Sequence, residues 1–277
     1  MNFTVRVMER ADLDTAVAWA EAEGWNPGKH DADAFFAADS QGYFIGEKEG
    51  KPISCISAVA YGSDFGFVGF YIVHPDYRGQ GYGLQTWNRA MGYLVGRNIG
   101  LDGVTAQQEN YAKSGFRLAY RNMRFQGEGG GAMPQGLILL TALPFAQVRD
   151  YDRRFFPSER EAFLQKWLSL PESVGLGVVE EGNLRGYGVV RACAMGYTIG
   201  PLFADTEEIA ERIFQGLASS IPAVPFFLDI PEPNRAASAL VARHDMKFVF
   251  ETARMYTGIF PTLPLEQLLG VTTFELG

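Results

Sequence analysis

Hydrophobic and polar residues follow one another at two different spacings along the chain, and these spacings predict strands and helices in succession. Phe3–Val7 alternates as a half-buried strand does, whereas the apolar residues of Arg10–Ala22 recur at helical spacing. Residues 43–47 and 52–61 predict a hairpin, and Phe65–Val73 is a continuous apolar run typical of a buried central strand. The chain is therefore expected to open with a strand, a helix and three consecutive strands.

The remaining elements predict that this unit occurs twice. The first half continues with a helix, a strand, a short helix and a closing strand, predicted at residues 83–96, 99–104, 106–114 and 116–125. The second half repeats the order, with strands predicted at 137–143, 175–183, 187–192, 197–203, 225–230, 248–257 and 272–276. Its helices are predicted at 158–170, 205–217 and 234–243, with Ser158, Asp205 and Asn234 as their N-caps. Two copies of one α/β unit account for this order better than one large domain.

A glycine-rich segment divides the chain near its middle. Residues 126–136 contain a cluster of glycines followed by Pro134, and such a segment is expected to continue neither a helix nor a central strand. We therefore predict an N-terminal domain at residues 1–126, a linker at 127–136 and a C-terminal domain at 137–277.

Composition and charge argue against several classes of protein. The net charge is −8, the sequence pI is about 5.0, and Lys and Arg residues form no cluster, so no nucleic-acid partner is expected. The N-terminus lacks a signal-peptide pattern, and the longest apolar stretch, residues 137–148, is too short to cross a membrane. Cys55 and Cys193 are the two cysteines, which predicts reduced thiols, a cytoplasmic location and no metal site. Monomer and homodimer both remain open.

The most informative segment lies at the end of the central strand. The strand ends at Pro75, and Arg78-Gly79-Gln80-Gly81-Tyr82-Gly83 then leads into a helix. Backbone N–H groups at such a turn, together with the helix N-terminus, form a site for an anion such as a pyrophosphate. A plain turn is one alternative. A dinucleotide fingerprint is another, but it requires G-x-G-x-x-G and an acidic residue about 20 positions later.

The pattern R-x-x-G-x-G after an apolar strand resembles the acyl-CoA signature of the GNAT superfamily of N-acetyltransferases, [QR]-x-x-G-x-[GA]. The resemblance implies acetyl-CoA as co-substrate, without a metal, and two tandem domains, each a mixed, mostly antiparallel sheet flanked by helices. The residues it implies for CoA binding are Ile72, Val73, Arg78, Gly79, Gln80, Gly81, Tyr82 and Gly83.

A second part of the resemblance is a tyrosine four residues before a Gly-Phe pair. Tyr111 precedes Gly115 and Phe116 at this spacing, which implies that Tyr111 donates a proton to the departing CoA thiolate. A packed aromatic residue on a short helix is the alternative. The family often has Asn seven residues before this tyrosine, where Val104 stands here. Contacts from Gln107 or Asn110 are the possible substitutes.

The general base is not identified by the sequence. A lysine-like amine has a pKa near 10.4 and must lose a proton before it attacks a thioester. Many members of the family use a glutamate on the central strand or a chain of waters, but Phe65–Val73 contains no carboxylate. The candidates are therefore a water or one of four side chains, Glu47, Asp64, Tyr71 and His74.

The second half lacks the anion-binding signature. The corresponding turn carries Asp205, Glu207 and Glu208, which would repel a pyrophosphate, so this half is expected to be a degenerate copy that does not bind CoA. The resemblance implies that such a copy helps to close the acceptor pocket. Asp229 and Glu232 are candidates for its lining, and Trp25 in the first half is a candidate for the opposite wall.

The sequence thus favours an N-acetyltransferase that transfers acetyl from acetyl-CoA to a primary amine of a small-molecule acceptor by direct attack. A non-catalytic acyl-CoA sensor or partner module is one alternative, and an acetyltransferase that acts on protein lysines or N-termini is another.

Overall fold

The structure, a computed structural model, describes residues 3–277. The strands of the first half are β1 Phe3–Val7, β2 Tyr43–Lys48, β3 Lys51–Tyr61, β4 Phe65–Val73, β5 Asn98–Val104 and β6 Arg117–Glu128. Its helices are α1 Arg10–Ala22, α2 Asp31–Ala38, α3 Tyr82–Tyr93 and α4 Gln108–Lys113. Helix α2 was not predicted, because its sequence, DADAFFAA, is too short to show a helical period.

The second half repeats the arrangement. Its strands are β7 Ile138–Leu139, β8 Ser173–Glu180, β9 Asn183–Ala192, β10 Tyr197–Ala204, β11 Pro225–Pro231, β12 Lys247–Tyr256 and β13 Leu268–Gly270. Its helices are α5 Phe145–Asp152, α6 Glu161–Trp167, α7 Glu207–Ser219 and α8 Arg235–Arg243. Both halves are thus mixed, mostly antiparallel sheets flanked by helices, as predicted. No helix within residues 3–277 has the length and apolar character needed to cross a membrane.

The two halves share one sheet through an exchange of strands. Within the described residues the strand order is β1-β2-β3-β4-β5-β12-β6-β11-β10-β9-β8-β7, and β13 pairs with β10. Strand β12 of the second half therefore lies between β5 and β6 of the first half. In return, β11 pairs along its whole length with the second part of β6, from Pro225 opposite Glu128 to Pro231 opposite Asn122. Neither half holds a complete sheet of its own.

This exchange changes the predicted boundary. Strand β6 runs to Glu128, two residues into the segment that was predicted as linker, because Gly127 lies opposite Phe226 in the shared sheet. A Cβ atom at Gly127 would lie 2.9 Å from the Phe226 ring. Glycine in this strand accommodates the neighbouring aromatic ring rather than ending the strand.

Each half contains one parallel strand pair that diverges after a few residues. Strands β4 and β5 pair only from Phe65 to Val68 on β4, and strands β10 and β11 pair only from Tyr197 to Ile199 on β10. In β4 the divergence coincides with a bulge, where Phe70 has a left-handed φ of +46° and the register against β3 shifts. Each half therefore has a gap between two neighbouring strands.

Buried groups hold the halves together across the shared sheet. The rings of Phe35 on α2 and Trp167 on α6 stack with centroids 6.2 Å apart. The buried guanidinium of Arg191 on β9 donates to Asp31 on α2 over 2.8 Å. The halves therefore share an apolar core and buried ion pairs.

Several local predictions for the second half were wrong because tertiary contacts override local signals. Residues 137–143 form only the short strand β7 and a 3-10 turn, and residues 272–276 are buried but irregular. Ser158 does not cap α6; its hydroxyl donates to the Tyr61 carbonyl. Thr206 caps α7 in place of Asp205, which instead accepts hydrogen bonds from Tyr151 and Arg154. The predicted N-cap of α8, Asn234, is confirmed, since its side chain accepts from the Ala237 N–H.

Candidate active site

The turn between β4 and α3 is built by glycines that adopt left-handed backbone conformations. Gly79 has φ +75° and Gly81 has φ +81°, and no atom lies within 4 Å of the place where a Cβ would stand on either. Gly81 is also the N-cap of α3, whose first turn contains no acidic residue. The turn therefore presents backbone N–H groups and a helix N-terminus to an open space, which is the arrangement that binds an anion.

Gly83 and Arg78 fix this turn against β4. A Cβ at Gly83 would lie 2.7 Å from Tyr71 Oη and 2.8 Å from Val73 Cγ2, so only glycine lets α3 begin this close to the strand. Arg78 Nε donates to the Val73 carbonyl over 2.8 Å, and its guanidinium pairs with Glu23 of the loop after α1. Arg78 thus holds the turn onto the end of β4.

A cavity of about 480 Å³ extends from this turn along the gap between β4 and β5. Six of the eight residues predicted to bind CoA line it, namely Ile72, Val73, Arg78, Gly79, Gly81 and Gly83. The side chains of the other two lie outside: Gln80 donates to the Asp76 carbonyl, and the ring of Tyr82 packs 4.9 Å from that of Phe3. The residues predicted from the signature therefore form one continuous wall with the strand edge.

Tyr111 lines the same cavity from α4. Its ring packs 5.9 Å from Trp87, and a Cβ at Gly103 would lie 2.2 Å from it, so a glycine on β5 makes room for the ring. Burial, and next the nearby Tyr71, raise the pKa of Tyr111 to about 12. The phenol therefore stays protonated throughout the neutral range and is available as a hydrogen-bond and proton donor.

Of the four side chains considered as bases, the structure places one on the cavity wall and three outside the cavity. Tyr71 lines the cavity, and burial raises its pKa. The other three lie outside: Glu47 accepts from Arg6, Asp64 accepts from Ser63, and the ring of His74 accepts the N–H of Asp76. None of these three carboxylate or imidazole groups reaches the gap between β4 and β5.

The residues in and just before α4 differ in whether they line the cavity. Gln107 and Val104 line the cavity, so Gln107 stands near the place where the family often has its asparagine. Asn110 lies outside and donates to Gln107 Oε1 over 2.7 Å. Asn110 therefore positions the Gln107 amide rather than facing the cavity itself.

The second half supplies the opposite wall. Phe250 and Thr252 of β12 and Phe274 and Glu275 of the irregular segment after β13 line the cavity, together with Trp25. No pattern in the sequence indicated these four residues of the second half, because strand exchange brings β12 beside β5 and the segment after β13 packs against β4. Asp229 and Glu232 do not line the cavity: Asp229 is paired with Arg124, and Glu232 is exposed.

The equivalent gap in the second half is filled by the chain itself. Strand β13 pairs with β10 beyond the point where β11 diverges, with Gly270 opposite Leu202. The Asn234 side chain donates to the Leu268 carbonyl over 2.8 Å, and the N–H of Val271 donates to the Asp229 carbonyl over 2.9 Å. Together with the acidic first turn of α7, β13 thus occupies the edge of β10 along which a pantetheine chain would pair, and a cavity of about 460 Å³ lined by Thr206, Asn234 and Gln267 remains beside it.

Metal ligands are not assembled at this site. Within the part of the chain that the structure describes, no group of three or more His, Cys, Asp or Glu residues is arranged to hold a metal ion. The chemistry that the cavity supports with its own residues is hydrogen bonding by backbone N–H groups, by Tyr111 and by carboxylates.

Comparison with known proteins agrees with this geometry. Residues 7–116 match the acetyltransferase (GNAT) family, and residues 148–270 match a second acetyltransferase (GNAT) domain family. The chain is 29% identical over 262 residues to Holothin acyltransferase of a Pseudoalteromonas species, covering 94% of this chain and 89% of that protein.

Solved structures show the same fold. A provisionally assigned acetyltransferase of Pyrococcus horikoshii superposes with a TM-score of 0.85 at 20% identity, covering 99% of this chain and 96% of that one. A tandem GNAT protein from the clavulanic acid biosynthesis pathway superposes with a TM-score of 0.65 at 13% identity, covering 94% and 100%. The chain carries two GNAT domains in tandem and belongs to the GNAT acyltransferases.

Proposed function

We propose that this enzyme transfers an acetyl group from acetyl-CoA to the primary amine of a small-molecule acceptor. The observation that carries the proposal is one continuous cavity. It joins the glycine turn of the first half, the phenol of Tyr111 and a wall of side chains from the second half. These three parts match the three things that the reaction must hold: a pyrophosphate, a thioester and an amine.

Acetyl-CoA fits the first half of the chain. The pyrophosphate would be held by backbone N–H groups of residues 79–83 and the N-terminus of α3, since the glycines leave the approach open. The edge of β4 at Ile72 and Val73 that faces away from β3 is left unpaired by the divergence of β5, and it offers hydrogen bonds to the pantetheine arm. The filled gap in the second half leaves one such site per chain.

The thioester supplies an activated acetyl group, and the protein residues supply polarisation and proton transfer. The neutral amine attacks the carbonyl carbon, the carbon–sulfur bond breaks, and its electron pair goes to sulfur. The bulge at Phe70 turns backbone groups of β4 toward the cavity, where an N–H group can stabilise the oxygen that gains charge. Tyr111, which remains protonated at neutral pH, donates its proton to the departing thiolate, and its phenolate takes back the surplus proton of the acylated nitrogen.

The lining of the cavity favours a small-molecule acceptor over a protein acceptor. Phe274 and Glu275 are buried, and Trp25 lines the same end of the cavity, so the acceptor would lie between the two halves rather than along a surface groove. An extended protein segment would need an open groove, whereas a small amine needs only a pocket. The name of the Pseudoalteromonas relative, which specifies acyl transfer to holothin, supports a dedicated acceptor compound in that protein.

The test is a screen with two readouts. Release of CoA thiol would be followed with acetyl-CoA and a panel of alkylamines, arylamines, amino acids, polyamines, aminoglycosides and lysine peptides, while calorimetry counts acetyl-CoA sites. We expect one site per chain and turnover with one class of small amines. Two sites would contradict the filled second gap, and turnover with peptides alone would replace the small-molecule acceptor with a protein. Binding without turnover of any amine would leave only the sensor alternative.

A further inference from the structure

Glu275 reaches the cavity from a segment far away in the sequence. Residues 271–277 follow β13 and are all buried, and they cross from the filled gap of the second half to β4 of the first. The backbone of Glu275 lies directly on Gly69: a Cβ at Gly69 would stand 2.2 Å from the Glu275 carbonyl oxygen. Gly69 is one residue before the bulge, so Glu275 is packed where β4 begins to diverge from β5.

Three acidic residues line the cavity, and the carboxylates of two of them are paired with arginines. Glu23 pairs with Arg78 at the turn, and Asp102 pairs with Arg254. Glu275 instead accepts a hydrogen bond from the Thr273 hydroxyl, and no arginine among residues 3–277 hydrogen-bonds to it. Glu275 is therefore the cavity carboxylate that retains the capacity to bind a cation.

The surroundings of Glu275 disfavour its ionised form. Burial, the largest effect, and Asp31 of α2 raise the pKa of Glu275, whereas its Thr273 hydrogen bond, Arg191 of β9 and Arg124 of β6 lower it. The two arginines are themselves committed to Asp31 and Asp229. The net direction of the pKa is upward, so this site favours the protonated form of Glu275 more than water does. On the cavity wall the titratable residues of the first half are Tyr71, Tyr77, Arg78 and Tyr111, together with Glu23 and Asp102 in their ion pairs.

Beside Glu275 the cavity wall is largely apolar. Phe250 and Phe274 pack with ring centroids 6.0 Å apart, and Trp25 stands with them on the cavity wall. The Thr252 hydroxyl is buried on the same wall and has no hydrogen-bond partner in the described part of the chain. An occupant of this end would thus offer an apolar or aromatic body, one ammonium group and a polar atom for Thr252.

We propose that Glu275 binds the ammonium group of an aromatic or apolar primary amine and takes its proton before the attack. The N–H bond breaks, its electron pair stays on nitrogen, and the proton goes to a Glu275 carboxylate oxygen. The nitrogen lone pair then forms the amide bond as the carbon–sulfur bond breaks and its electron pair goes to sulfur, which takes the Tyr111 proton. The second proton that the nitrogen loses goes to the Tyr111 phenolate. This assignment rests on the proposed acetyl transfer and adds the base and the acceptor class. The need for a base is large, because only about one in 2,500 molecules of an amine with pKa 10.4 is neutral at pH 7.

Two isomeric acceptors distinguish a base from a structural residue. 2-Phenylethylamine is charged at neutral pH, whereas 4-ethylaniline is already neutral, and the two have the same molecular formula. For Glu275→Gln we expect kcat/KM at neutral pH to fall by about 100-fold or more with the alkylamine. The same variant should keep most of its activity with the arylamine, and its pH profile with the alkylamine should lose the limb that reports the base.

Controls separate the failure of this assignment from the failure of the proposed function. Glu232→Gln removes an exposed carboxylate outside the cavity and should leave both acceptors unchanged. Acetyl-CoA affinity by calorimetry reports whether Glu275→Gln folds, and Glu275→Asp, which keeps a carboxylate, should retain the pH limb at a lower rate. Equal losses with both acceptors, or no loss, would overturn the base. Wild-type turnover of other amines but neither of these would overturn the acceptor class, and no turnover of any amine would instead refute acetyl transfer.

Discussion

Arg124 and Asp229 lie directly opposite each other on neighbouring strands, Arg124 on β6 of the first half and Asp229 on β11 of the second. Two hydrogen bonds of 2.7 Å join the guanidinium to the carboxylate, and both side chains are buried. Arg124 also donates to the Trp25 carbonyl and stacks over the rings of Phe250 and Phe274. One ion pair thus connects the exchanged strands with the acceptor end of the cavity.

Removal of the Arg124 side chain would leave Asp229 buried and unpaired. We expect Arg124→Ala to lower the free energy of unfolding by about 3–5 kcal/mol, measured by urea denaturation. The control Arg149→Ala removes a half-exposed arginine that pairs with Asp150 at the surface, and it should leave the free energy of unfolding almost unchanged. Similar losses in both variants would show that the buried pair does not hold the halves together.

The exchanged strands make the two halves dependent on each other. If a protease site is inserted between Ala132 and Met133, which are both exposed, we expect the cleaved protein to remain one particle and to keep its acetyl-CoA site. Residues 1–136 expressed alone should not fold, because β5 and β6 would lack β12 between them. Size-exclusion chromatography and circular dichroism test both outcomes. Separation of the cleaved halves into two folded proteins would contradict the exchange.

A carboxylate placed in the glycine turn should exclude the pyrophosphate. Gly81→Glu adds a like charge and a side chain at the N-terminus of α3, so we expect acetyl-CoA binding to be lost in calorimetry. Gly50→Glu is the matched control: Gly50 has φ +77°, close to the +81° of Gly81, with open space around it and no part in the cavity. Both variants carry the same left-handed strain of about 1–2 kcal/mol. Binding that survives in Gly81→Glu would refute the turn as the anion site.

Loss of the Tyr111 hydroxyl should slow turnover without weakening cofactor binding. Because the phenol acts on the leaving thiolate, we expect Tyr111→Phe to lower kcat by about 100-fold while the affinity for acetyl-CoA is retained. Its pKa of about 12 also predicts no loss of activity from Tyr111 ionisation between about pH 6 and pH 9. Tyr93→Phe, which removes a hydroxyl bonded to Asp39 outside the cavity, should leave kcat unchanged. Equal rates in all three proteins would remove Tyr111 as the acid.

The buried carboxylate of Glu275 predicts a pH dependence of stability. Burial raises its pKa above the ordinary value of 4.5, so the folded protein holds this proton more tightly than the unfolded chain does. The contribution of Glu275 to stability is therefore present below about pH 4.5 and is lost as the pH rises through the raised pKa. We expect the free energy of unfolding of Glu275→Gln to increase relative to that of the wild type as the pH rises above about 4.5. A difference that moves the other way would mean that Arg124 and Arg191 hold Glu275 as a structural anion.

The wall of the cavity that contains the glycine turn was readable from sequence, whereas the wall supplied by the second half was not. Arg78, Gly81 and Gly83 are close neighbours in sequence, and their backbone conformation depends mainly on one another. Glu275 and Gly69 are two hundred residues apart, and nothing in either segment indicates the contact. The reasonable base candidates Glu47, Asp64 and His74 lie outside the cavity because each already has a partner near its own strand or turn.

By itself the sequence determined the two α/β units, the order of their main strands, the glycine turn and the loss of that turn in the second unit. These features follow from alternation, helical spacing and glycine conformations, which act over a few residues. Only the tertiary structure decided that β12 and β6 change places, that β13 closes the second gap, and that the following segment brings Glu275 to β4. Any apolar strand can pair with several others, so the choice among partners is made by the packing of the whole sheet and not by the strand's own residues.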